Sequence, residues 1–75
     1  MMSFEEFEQR VRSLLQQEEK WLHILPTIEP AHRNRLIKVL EAGVAMPLAF
    51  DLVLISKQES DEEFDVRWRV LTRGE

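Results

Sequence analysis

The sequence predicts an α+β fold, an antiparallel helical hairpin followed by a two-stranded antiparallel β-hairpin. Three observations point there. Apolar residues recur every three or four positions from Phe4 to Leu25, the repeat of one helix face. Pro26, Pro30 and Gly43 then bracket a second helical stretch. From Phe64 to Val70 the repeat drops to two, with Phe64, Val66, Trp68 and Val70 alternating with Asp65, Arg67 and Arg69, as in a half-buried strand.

Each element has its own justification. Ser3-Phe4-Glu5-Glu6 opens the first helix. Ser3 can accept from the N–H of Glu6 while Glu6 reaches back to the N–H of Ser3, a capping box. Glu5, Glu6 and Glu8 suit the positive end of the helix dipole. The seam runs through Phe4, Phe7, Val11, Leu14 or Leu15, Trp21 or Leu22, and Leu25, with Glu18 at the one seam position that should be apolar. Pro26 drives the preceding residue out of helical geometry, so the helix is expected over residues 4–24.

A second helix over 28–42 follows, with Thr27 as its cap, Pro30 in its first turn and Gly43 as a left-handed stop. The short connection predicts that the two helices lie antiparallel. At about 1.5 Å per residue the first helix would span ~30 Å and the second ~20 Å. Phe4 and Phe7 then sit at the end that the second helix's C-terminus must cover, and they are candidates for exposed contact.

Strands are expected over 48–57 and 63–72, joined by the polar loop Lys57 to Glu63. In the first of them Phe50, Leu52 and Leu54 alternate, but Val53 and Ile55 are apolar too, so the alternative is an all-α chain with a third helix from Pro47. Centring the turn on Ser60 sets Phe50, Leu52 and Leu54 against Val70, Trp68 and Val66 on one face, and pairs Asp51 with Arg69 and Lys57 with Glu63 on the other. Val53, Ile55 and Leu71 are left on the outer face. A lone hairpin is marginal in water and has two unpaired edges. Together with that apolar outer face, this predicts a homodimer or higher oligomer.

The 75 residues form a single small domain, 1–75, near the lower limit for a self-sufficient core, and association is the natural reinforcement. There are no cysteines, hence no disulfides and no thiolate-bound zinc. No metal site is expected, because neither His23 nor His32 shares helical spacing with a carboxylate in a recognised metal arrangement, and the single pair Glu29 and His32, three apart, is common by chance. Two glycines cannot build a phosphate-cradling loop, and the carboxylates of Asp61-Glu62-Glu63 read as a solvated turn. No catalytic residue, cofactor or small-molecule substrate is therefore expected, and the chain is read as a non-enzyme.

The formal net charge is −4, with Arg33, Arg35, Lys38 and Lys57 forming a mildly basic waist between acidic ends. The expected function is that of a small protein-interaction, adaptor or regulatory protein that binds itself or another protein, through Val53, Ile55 and Leu71 or near Phe4 and Phe7. The alternative is a nucleic-acid-binding regulator using Arg33, Arg35 and Lys38 with Arg67 and Arg69, against which the net negative charge stands. The charged stretch Met1 to Lys20 has no apolar signal region, and the run Ala42 to Ile55 is too short and too interrupted for a membrane helix. A cytoplasmic chain that does not meet a membrane is the expectation.

Overall fold

The Ser3 hydroxyl starts the first helix as its chemistry dictates, accepting the N–H of Glu6 at 3.2 Å while the Ser3 carbonyl accepts from Phe7 at 3.0 Å. The structure, a computed structural model, describes residues 2–15 and 19–72. Helix α1 is Phe4–Leu15. It is shorter than the 4–24 expected, and the Glu18 seam position lies outside the described residues. From Glu19 to Thr27 the chain is a 3₁₀ segment that contains Pro26. Leu22, Leu25 and Ile28 stand three apart, which aligns them at three residues per turn and not at 3.6. Leu25 and Ile28 are accordingly buried. Thr27 does not cap the next helix; its hydroxyl donates back to the Ile24 carbonyl at 2.6 Å.

A 3₁₀ turn, Pro30–His32, leads into α2, Arg33–Glu41. Pro30 sits at the start, where no N–H is needed. Gly43, at φ 95°, closes α2 as expected: its N–H bonds to Leu40 and that of Val44 to Val39, both at 3.0 Å. The expected antiparallel pairing of the two helices is not what forms. Arg33 at the start of α2 bonds to the Met2 carbonyl (2.9 Å), and Glu41 at its end meets Arg10 (3.3 Å). The helices α1 and α2 thus run in the same general direction, and the 3₁₀ segment makes the return. Phe4 and Phe7 are met by the beginning of α2, not by its C-terminus.

The β-hairpin is overturned. Residues Leu48–Ile55 form α3 and Asp61–Thr72 form α4, and no strand occurs among the described residues, so the fold is all-α. Two helices satisfy their backbone groups internally, whereas a lone hairpin would leave both edges open. In α3 the apolar run buries Ala49, Leu52 and Val53, with Ser56 one turn on, at i, i+3, i+4 and i+7. In α4 only Phe64 and Trp68 are buried, and they are four apart as well as members of the alternating set. The expected cross-strand pairs of Asp51 with Arg69 and Lys57 with Glu63 do not form. Ser60 and Glu63 instead make a reciprocal capping box: the Glu63 N–H donates to the Ser60 hydroxyl (3.1 Å) and the Ser60 N–H to the Glu63 carboxylate (2.9 Å).

The core lies between α1, the 3₁₀ segment, α2 and α3, built from Phe7, Val11, Leu25, Ile28, Leu36, Val39, Leu52 and Val53 among others. The helix α4 docks on it through Phe64 and Trp68. Polar contacts fix the approach: Lys38 donates to both oxygens of Asp65 (2.8 and 3.1 Å), and the Trp68 indole to Asp65 (3.3 Å).

Candidate interaction surface

Arg35 explains how α4 reaches its place. It is 8% exposed, and its guanidinium donates to three acceptors between the end of α3 and the first residue of α4: the Asp61 carboxylate (2.9 Å), the Ser56 carbonyl (2.8 Å) and the Glu59 carbonyl (2.6 Å). The same group lies 5.1 Å from the centre of the Phe64 ring. The rigid fork of an arginine suits such a three-way clamp, which a lysine cannot reproduce.

The other basic candidates are also engaged within the chain. Arg33 bonds to Met2 and lies 5.5 and 5.7 Å from the ring centres of Phe4 and Phe7. Lys38 holds Asp65. Arg67 pairs with Glu59, which holds the Glu59 carboxyl below and the Arg67 guanidinium above their ordinary pKa ranges. Arg69 stacks on the Trp68 ring at 5.5 Å. These five side chains are not brought together on one face as free cations.

The apolar candidates divide. Val53 and Phe7 are fully buried, and Phe4 is half-buried against Phe7 with ring centres 6.3 Å apart. Val53 was expected outside because the hairpin placed it on an outer face; as a helical residue it lies one turn from Ala49 on the core side. Ile55 and Leu71 are exposed, as expected, but on different helices and not on one sheet face. Leu71 borders a hollow of about 360 Å³ with Leu48, Val44 and Ala45.

Val66 and Val70 escaped the sequence reading because strand alternation assigned both to the core. They are 64% and 63% exposed, the most open of the large apolar side chains among the described residues. Their i, i+4 spacing places them about 40° apart on one face of α4. The face opposite the core is therefore apolar along its centre. Beside Val66 is an open hollow of about 470 Å³ walled by Glu59, Glu62, Glu63, Val66 and Arg67. The spacing of Ser60, Glu63, Phe64 and Trp68 was the signal that would have revealed this helix and its outer face. Neither a His, Asp and Glu cluster able to hold a metal ion nor a helix long and apolar enough to cross a membrane occurs among the described residues.

No protein-family model matches the chain, and neither a curated protein nor a solved structure is similar to it at a significant level.

Proposed function

We propose that this is a small non-catalytic protein that works by protein–protein association, and that it associates with itself through the outer face of α4. The observation that carries the reading is that α4 presents Val66 and Val70 to water on one face, while burying Phe64 and Trp68 on the opposite one. A helix with apolar residues on opposite faces is one packed on both sides. The fold occupies one side only. A chain of 75 residues also gains most from a partner, since its own core is small.

The test is the solution mass by light scattering across a concentration series, for the parent chain and for Val66→Lys and Val70→Lys. The parent moves towards twice 8.9 kDa as concentration rises, and each lysine variant shifts that midpoint upward by at least tenfold with unchanged helicity. A monomer at every concentration contradicts the reading. The nucleic-acid alternative has no observation of its own to favour it, because Arg33, Arg35, Lys38 and Arg67 are bonded inside the chain.

A further inference from the structure

The charges of α4 sort themselves into those held by an ion pair or a capping hydrogen bond within the fold and those that are not. Asp61 is held by Arg35, Asp65 by Lys38, and Arg67 by Glu59, while Glu63 caps Ser60. Among the described residues, Glu62 and Arg69 are left with neither an ion pair nor a carboxylate or guanidinium hydrogen bond. Both border the Val66–Val70 stripe on one side, and Glu63 borders it on the other. With about 100° per residue, Glu62 and Arg69 fall roughly 40° and 60° to the same side of Val66. They are seven residues apart and opposite in sign.

From this placement we infer that two copies pair through α4 in an antiparallel arrangement centred on Val66, a mode that rests on the self-association proposed above. Two-fold symmetry then sets Glu62 of each copy beside Arg69 of the other, so one residue pair makes two reciprocal ion pairs. The Val70 side chain of each copy arrives opposite the hollow beside the other's Val66, walled by Glu59 of the α3–α4 connection and by Glu62, Glu63, Val66 and Arg67 of α4. A parallel pairing would set Glu62 level with Glu62 and Arg69 level with Arg69, like charge against like. A helix of 12 residues is about 18 Å long, so the contact falls at or below the small end of specific interfaces, roughly 1,200 Å². The association is therefore weak and set by concentration.

The test uses charge exchange in the full chain, read by sedimentation or light scattering. Glu62→Arg and Arg69→Glu each turn both cross-copy pairs repulsive and weaken dimerisation by roughly 5- to 30-fold. The double variant Glu62→Arg/Arg69→Glu restores the parent affinity to within about threefold. Mixing the two single variants gives a heterodimer stronger than either homodimer. Circular dichroism checks that every variant keeps its helicity, and the mixing experiment needs no comparison with the parent. A parent dimer indifferent to these exchanges overturns the antiparallel register and leaves self-association standing. A parent chain monomeric throughout overturns both.

Discussion

Arg35 shows how one side chain can decide an architecture. Its three acceptors run from Ser56 at the end of α3 to Asp61 at the start of α4, the stretch the hairpin reading gave to a strand end and its loop. Removing it takes away the side-chain donor to the Glu59 carbonyl and one of the two donors to the Ser56 carbonyl, which keeps the Glu59 N–H (2.9 Å). Arg35→Ala is expected to cost roughly 2–3 kcal/mol, and Arg35→Lys about 1–2 kcal/mol, measured by urea denaturation. The sequence marks Arg35 only as one cation among several, because the identity of its acceptors depends on the conformation of a turn that the strand reading placed but took for a hairpin loop. Gly43 is the opposite case. Its position after the last apolar residue of α2 announces a left-handed stop, and φ 95° agrees. A Cβ there would meet nothing within 4 Å, so Gly43→Ala is strained through the backbone alone. Its cost should be roughly 1 kcal/mol in the same assay.

At the scale of the element, the two halves of the chain differ in how plainly they can be read. The start of α1 carries a capping serine, an acidic first turn and a buried i, i+4 pair, Phe7 and Val11, and these agree, whereas the apolar spacing continues past the helix's end at Leu15 into the 3₁₀ segment. The α4 signals conflict. Phe64, Val66, Trp68 and Val70 fit a period of two, yet Phe64 and Trp68 also fit one helix face, and Ser60-Asp61-Glu62-Glu63 is a helix start. The alternating pattern arises because the outer face of α4 is apolar too. The feature proposed to bind a partner is the one that disguised the helix. For α3 the eight residues, apolar but for Asp51, have no clear period, and burial of Ala49, Leu52 and Val53 settles it only once α2 is in place. The capping box gives an element-level test: Ser60→Ala is expected to lower stability by about 1 kcal/mol and to fray the first turn of α4, seen as faster amide exchange at Glu63 and Phe64.

At the scale of the whole molecule, pH acts through the contacts that seat α4. The hydrogen bond from Lys38 to Asp65 and that from Arg67 to Glu59 hold both carboxyls below their ordinary range. A depressed folded pKa contributes stability that is present above the unfolded value, about 3.9 for Asp and 4.3 for Glu, and is lost as pH falls through the folded value. Stability should therefore be flat from neutrality to about pH 5 and fall below it. The combined Asp65→Asn/Glu59→Gln variant should show a shallower acid slope in urea titrations at successive pH values.

The same Asp65 and Arg35 contacts press α4 inward and leave Glu62, Val66, Arg69 and Val70 facing out. That division between an inner and an outer face of α4 is the central claim. It is tested most directly by amide and Cα NMR of the labelled chain across a concentration series. Helical Cα shifts are expected over 48–55 and 61–72. Concentration-dependent amide shifts should be concentrated at Glu62, Val66, Arg69 and Val70, with Leu36 and Leu52 unmoved. Strand-like shifts over either segment, or an α4 face whose spectrum never responds to concentration, would contradict the account.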